Sequence, residues 1–285
     1  MNRKVSLTAI VITKNEEGHI AECLATLQWA DEMLVVDSFS TDNTKAVAEK
    51  LGARVLQHPF ADFASQRNYA QAQAQHDWVL FVDADERVTE RLRTGIENLL
   101  ESGEIDHANA YYISRSNLFS GRWIGHSPDT FVFTDDLKRK VHIGAQRLMN
   151  RTKAVWHREI HEVIDVPEPS GFLDGLMLHY SITNISRALE PLNDYTNREA
   201  KLRAQAMRKP KSIFYALFRG LIKFLHSYVS TGLWRYSEQG LFLSILSGFS
   251  RFIDYAKAAE RVRIAQNMGI WTDEDRKLIE SHEVR

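Results

Sequence analysis

The chain of 285 residues contains one cysteine, Cys23. An internal disulfide framework is therefore excluded, and the composition fits a reducing compartment. No uncharged apolar stretch reaches the roughly 18 residues that a membrane-spanning helix needs. The N-terminal "MNRKVSLTAIVITKN" holds only a short apolar run, closed by a lysine and an asparagine. It reads as a strand and not as a signal peptide. Internal repeats and low-complexity segments are absent. No glycine-rich phosphate loop follows the first apolar run, where the sequence is "TKNEEGH"; this speaks against a nucleotidyltransferase.

What is present is the composition of a folded protein with a real core, 44% apolar and 26% charged. The net charge of −1 hides an uneven distribution. Residues 1–200 carry 21 Lys and Arg against 29 Asp and Glu. Residues 201–270 carry 12 against 3, and the last fifteen carry 3 against 5. Such asymmetry suggests that the 201–270 segment faces an anionic partner.

The first hundred residues alternate strand and helix patterns. "VSLTAIVIT" is a continuous β-branched run of the kind buried on both faces. Asn15 and the Glu16–Glu17 pair then suit a helix start, and Ile20, Leu24 and Leu27 recur at helical spacing. "EMLVVDS", "ARVLQHP" and "DWVLFVD" predict three further strands. "SFSTDNTKAVAEKLG", with Gly52 as its stop, and "FASQRNYAQAQAQ" predict the helices between them. Helices between buried strands imply right-handed crossovers and a parallel sheet. From about Ala108 the pattern loosens into shorter strands. Residues 184–208 read as helix with a break or kink at Pro191, and residues 211–265 as two amphipathic stretches around Thr231–Gly232.

In an open α/β sheet, ligands bind beyond the carboxyl ends of the strands. One predicted strand ends at Asp37. Another, "WVLFVDADE", delivers Asp83, Asp85 and Glu86 to one point. Like charges so close require a cation or a capping role. A D-x-D pair on one side of an extended chain can hold Mg²⁺ or Mn²⁺, which prefer oxygen ligands and bring phosphates with them. The alternative is a strand-to-helix turn with Asp85 or Glu86 as the cap.

"AIVITKNEEGHIAECLATLQWADEMLVVDSFSTDNT", then "FASQRNYA" and "WVLFVDADE", resemble in order the nucleotide-sugar half of a family 2 inverting glycosyltransferase. The resemblance spans Leu7 to about Leu100 and implies the GT-A fold: an α/β, Rossmann-like, mostly parallel sheet with flanking helices. The later "IHEVIDV" and "LMLHYSITNISRALEPLNDYTNREA" more loosely resemble a subgroup that adds β-1,4-glucose to the lipopolysaccharide inner core. The resemblance implies that Asp37 bonds the donor's uracil, that Asp83 lies near the ribose, and that Asp85 ligates a divalent cation, Mg²⁺ or Mn²⁺. It places Arg67 near the nucleotide, where its guanidinium could serve uracil or diphosphate; the other reading is a solvated helix charge. Thr13, Asn15 and Glu16 follow the first strand and are expected to line the nucleotide pocket, with Asn15 equally suited to a cap.

Inverting transfer needs a base for the acceptor hydroxyl. Family members often carry it in an "ED" pair, which is absent from the matching region here. Glu162 in "HE" stands in its place, with Asp135 and Asp136 as alternatives. His179 ends an apolar run and is a candidate metal ligand, as in many GT-A enzymes; the other reading is a core or loop histidine. The Q-x-x-R-W motif of processive relatives is absent, which argues for a single transfer.

The expected organisation is a catalytic domain over residues 1–183, with a nucleotide-sugar half to about 105 and an acceptor half over 106–183. A C-terminal amphipathic helical extension over 184–285 follows. Its basic, aromatic-bearing helices suit a membrane interface; packing against protein is the alternative, and nucleic-acid binding fits poorly. The expected function is transfer of glucose from a UDP-sugar to a lipopolysaccharide inner-core acceptor, by a cytoplasmic protein peripheral on the inner membrane. Another glycan, a lipid carrier or a peptide as acceptor, and a catalytically silent membrane-associated binding protein, are the other readings.

Overall fold

The computed structural model of the chain describes residues 4–125, 131–133, 140–142, 144–157, 163–180 and 184–267. It divides into two compact units, Met1–Ile182 and Thr183–Arg285.

The first unit opens with β1 (Leu7–Thr13), α1 (Ile20–Ala25), β2 (Glu32–Asp37), α2 (Thr44–Lys50), β3 (Arg54–Gln57), α3 (Phe63–Gln73) and β4 (Trp78–Asp83). It continues with β5 (Glu86–Val88), α4 (Glu90–Ser102), β6 (Ala110–Phe119), β7 (Arg122–Ile124), β8 (Phe131–Phe133) and β9 (Lys140–His142). It closes with β10 (Ala145–Asn150), β11 (Val155–His157), β12 (Val163–Asp165) and β13 (Ser170–His179). Nine strands form one sheet in the order β3-β2-β1-β4-β10-β6-β13-β5, with β7 beside β6. The pairs β3–β2, β2–β1 and β1–β4 are parallel. β10 runs against both β4 and β6, and β13 runs with β6. Six strands (β1–β4, β6 and β13) therefore point the same way, and their carboxyl ends lie along one edge. This is the mostly parallel α/β arrangement that the sequence implied.

The period of two along the strands explains the layers. Leu7, Ala9 and Val11 join a core with Leu24 from α1, Ala48 from α2 and Leu92, Ile96 and Leu100 from α4. Ile10, Ile12, Val79 and Phe81 point to the other face and pack with Ala64 and Ala70 from α3 and with Trp156. Both faces are covered, so β1 is buried along its whole length. Local signals set the helix ends. Asp62 caps α3 through Ser65 N at 2.8 Å, and Gly52, at φ +85°, stops α2.

The second unit contains α5 (Ile185–Leu189), α6 (Leu192–Ala206), α7 (Ile213–Leu225) and α8 (Ser237–Asn267). Pro191 separates α5 from α6, and a π turn and a 3₁₀ turn separate α7 from α8. α7 and α8 approach closely where Gly220 faces Gly248. A Cβ on Gly220 would lie 2.8 Å from the Gly248 carbonyl oxygen, so only glycine permits the crossing at this separation. Among the described residues, no helix is long and apolar enough to cross a membrane.

Candidate active site

The common edge of carboxyl ends brings together Thr13 on β1, Asp37 on β2, Asp83 on β4 and His179 on β13. β5 turns back antiparallel to β13 and sets Glu86 opposite His179. β13 reaches this position through a bulge between Leu173 and Leu176. Gly175 sits there at φ +120°, and a Cβ would lie 2.6 Å from Leu92 Cα. Beyond the bulge the register resumes and pairs His179 with Asn117 of β6.

The carboxylate cluster divides into two environments. Glu86 is fully buried; its Oε2 accepts from Asp83 N at 2.9 Å, and its Oε1 lies 3.3 Å from Arg115 and 3.4 Å from Arg147. Asp83 Oδ1 accepts from Arg67 at 2.9 Å and Oδ2 from Arg147 at 3.0 Å. Burial would raise the Asp83 pKa, but the Arg147 and Arg67 guanidiniums outweigh it and hold this carboxyl well below the usual carboxylate range. Asp83 keeps a quarter of its side-chain surface (26%) accessible. A ligand hydroxyl can therefore reach an oxygen that the arginines already orient. Neither Asp85 nor Glu86 caps the next helix; Thr89 caps α4 through Leu92 N.

Asp85 belongs to the second environment. Its Oδ2 lies 3.2 Å from His179 Nε2. His179 Nδ1 faces Asn117 Oδ1 at 2.7 Å. Each ring nitrogen of His179 therefore has a polar neighbour, Asn117 on one side and Asp85 on the other. A carboxylate and an imidazole side by side are a donor pair that suits Mn²⁺. Among the described residues, no three His, Cys, Asp or Glu side chains gather around one point.

Arg67 is only 2% exposed. Besides the Asp83 ion pair, its guanidinium lies 5.0 Å from the Trp156 ring centroid and 5.5 Å from that of Phe81. The solvated helix charge that the sequence allowed is thereby corrected: the apolar rings and Asp83 fix this side chain from both sides.

The loops after β1 and β2 are tied together. Asn15, at φ +55°, accepts from Thr41 N at 2.8 Å, and its own N–H donates to Ser40 Oγ at 2.8 Å. The capping alternative for Asn15 is corrected: α1 starts only at Ile20, with His19 before it, and Asn15 bridges the two loops instead. Glu16 N donates to Thr44 Oγ1 at 2.8 Å. Asp37 is fully buried; it accepts from the Ser40 backbone and hydroxyl and from Gln57 Nε2 at 3.1 Å. Thr13 Oγ1 is buried with no hydrogen-bond partner among the described residues. Cys23 lies beneath the site with Sγ 3.6 Å from the Asp83 carbonyl, and burial pushes its thiol pKa up, so it is inert. Glu162, Asp135 and Asp136 lie outside the described residues.

Sequence reasoning missed Arg115, Arg147 and Asn117. The signal for Arg147 was a charge inside the apolar strand pattern "AQRLMN", since a buried charge needs a partner.

Comparison with known proteins now assigns the class. The family model "Glycosyl transferase family 2" matches residues 8–155, and the chain belongs to this family. It is 28% identical over 265 residues to an uncharacterized glycosyltransferase of Rickettsia prowazekii, covering 92% of this chain and 89% of that protein. It is also 28% identical over 268 residues to the lipopolysaccharide core biosynthesis glycosyltransferase LpsC of Rhizobium meliloti, covering 90% and 93%. Among solved structures, S. aureus TarS 1–349 in complex with UDP-GlcNAc superimposes with a TM-score of 0.49 at 14% identity, covering 92% of each chain.

Proposed function

We propose that this glycosyltransferase moves glucose from UDP-glucose to a sugar of the lipopolysaccharide inner core, with inversion at the anomeric carbon. The observation that carries the reading is the meeting of Asp37, Asp83 and the Asp85–His179 pair at one sheet edge, beside the buried Thr13 hydroxyl. Asp37 would accept from the uracil ring. Asp83, oriented by Arg67 and Arg147, would accept from a ribose hydroxyl. Asn15 and Glu16 would shape the floor of the nucleotide pocket. Asp85 and His179 would hold a divalent cation, Mg²⁺ or Mn²⁺, whose chemistry is to neutralise charge on the departing diphosphate. The acceptor oxygen attacks C1 of the sugar, the bond from C1 to the phosphate oxygen breaks, and UDP leaves with the electron pair. A carboxylate takes the acceptor proton; Glu162 is the residue assigned to it, with Asp135 and Asp136 next.

The acceptor class is supported by the likeness to LpsC and by the surface of the second unit. Residues 1–183 serve as the catalytic domain. Residues 184–285 serve as a membrane-associating region at the cytoplasmic face of the inner membrane. Phe214, Leu217, Phe218, Leu221 and Leu225 recur at helical spacing on α7 and are all exposed.

The test is incubation with truncated lipopolysaccharide core and, separately, UDP-glucose, UDP-galactose and UDP-GlcNAc in Mn²⁺, read by mass spectrometry of the acceptor. The expected result is one added hexose with UDP-glucose only. Transfer from a different donor, or donor hydrolysis with an unmodified acceptor, would reject the assignment.

A further inference from the structure

Between Glu199 and Glu238 the sequence contains no aspartate or glutamate, and it carries eight lysines and arginines. Four of these, Arg203, Arg208, Lys209 and Lys211, line one open cleft of about 580 Å³ together with Tyr215 and Tyr255. The four cations are not equivalent. Arg203 is balanced by Glu199 at 3.1 Å and Asp254 at 3.1 Å, and it lies 4.6 Å from the Tyr255 ring centroid. It belongs to the wall. Among the described residues, no carboxylate pairs with Arg208, Lys209 or Lys211. These three come within four positions of sequence, and an exposed cluster of one sign attracts an anion from outside. Tyr215 and Tyr255 meet edge to face, with centroids 5.6 Å apart, and supply hydroxyl groups to the same cleft.

The place of the cleft on the surface says which anion. Lys211 and Tyr215 belong to the start of α7. Phe214, Leu217, Leu221 and Leu225 begin at that point and run down the exposed side of the helix. A phosphate site at one end of an exposed apolar face matches the depth profile of a lipid, with charge at the headgroup and hydrocarbon below it. A soluble phosphate compound would have no use for the apolar face. We propose that the cleft lined by Arg208, Lys209, Lys211, Tyr215 and Tyr255 binds the phosphate of an anionic phospholipid, while the exposed face of α7 enters the acyl boundary of the same bilayer. The proposal rests on the membrane reading above and sharpens it from a general attraction to a headgroup site.

The experiment is flotation of the full chain with three vesicle types at one fixed salt concentration: phosphatidylcholine alone, and phosphatidylcholine mixed with phosphatidylglycerol at two ratios. The parent is expected to partition roughly tenfold or more in favour of the anionic vesicles. Lys209→Glu/Lys211→Glu should lose that preference while keeping the weaker partition onto neutral vesicles. Leu217→Ser/Leu221→Ser should lose flotation with every vesicle. Melting temperature and circular dichroism must match the parent for both double variants; if either pair unfolds, Lys209→Gln/Lys211→Gln and Leu217→Ala/Leu221→Ala replace them. Inorganic phosphate added at constant ionic strength should leave flotation unchanged. Complete displacement by millimolar phosphate would identify a free-phosphate site and overturn the lipid assignment. A charge-reversed variant that keeps the full anionic preference would overturn the headgroup cleft and leave the membrane reading standing. A parent that floats with no vesicle would overturn both.

Discussion

The two units of this chain place their apolar residues in opposite ways. In the first unit the large side chains are inside: Leu7, Ile10, Leu34, Leu80, Phe81, Leu92 and Ile96 have no accessible surface. In the helices of the second unit the buried positions are mostly small, among them Ala200, Ala216, Ser244, Ala258 and the glycines at the α7–α8 crossing. Its large residues face outward, from Phe214 at 78% exposed to Trp234, Ile245 and Phe249 near half exposed. A water-soluble domain is stabilised by burying large apolar area. The second unit's helices pack through small residues and leave large apolar ones exposed, which is the observation behind the membrane proposal. Charge differs as well. Both units bury a carboxylate against arginines, Asp83 in the first and Asp254 in the second, but the second also exposes Arg208, Lys209 and Lys211 with no carboxylate beside them among the described residues. The first unit gathers fixed charges at one sheet edge, and the second shows large apolar side chains at its surface, the contrast on which the nucleotide and membrane proposals rest.

The largest expected effect lies in the first unit. Glu86→Ala removes the acceptor of Asp83 N and the shared partner of Arg115 and Arg147. Arg147 keeps Asp83 and Arg115 is partly exposed, so the loss is that of a buried acceptor for Asp83 N and of one charged partner, about 1–3 kcal/mol, to be seen as a shift of the urea midpoint at constant slope. If the midpoint stays within experimental error, the arginine network does not hold the site. Next comes Gly220→Leu, whose side chain must enter the space of the Gly248 carbonyl and Phe252. Overpacking of this kind costs about 1–3 kcal/mol, and unchanged thermal unfolding would show that the close crossing is not real. By contrast Phe214→Ser, at a mostly exposed position, should alter stability by less than about 0.5 kcal/mol yet weaken vesicle binding. Strong destabilisation there would mean that the face is covered by protein.

The smallest effect concerns pH. Burial, helped by Glu199 and opposed by Arg203, raises Asp254 from 3.8 to about 6. A raised carboxyl binds its proton more tightly in the folded state. The stability that this proton contributes is complete below pH 3.8 and is lost as pH rises through about 6. Asp254→Asn should flatten the fall in melting temperature across that window; an unchanged slope would remove Asp254 as its source.

Much of the first unit could be read in advance. The alternating strands and helices to residue 100 followed from β-branched runs, from Gly52 as a helix stop, and from the placing of Asp37 and the D-x-D pair at the carboxyl ends of strands; the Asp62 cap came only with the structure. The Asp83 partners could not be read this way. Arg147 is 64 residues away and meets Asp83 only because β10 inserts beside β4 in the sheet, a choice of strand order that no local pattern announces. The Asp85–His179 meeting depended likewise on β5 folding back onto β13. In the second unit the spacing of α7 was plain from sequence, but its outward direction was not. Amphipathicity names a face and leaves its neighbour open until the small residues at the crossing are seen on the other side.

The division of the acid cluster, Asp83 for the arginines and Asp85 for a cation, is tested most directly by calorimetric titration of UDP into the parent and into Asp85→Asn, each with Mn²⁺ and with excess chelator. The parent should bind UDP at least roughly tenfold more tightly with Mn²⁺, a gain of about 1.4 kcal/mol or more. Asp85→Asn, still folded, should bind equally in both conditions. A parent indifferent to Mn²⁺, or a variant that keeps the full gain, would contradict the account.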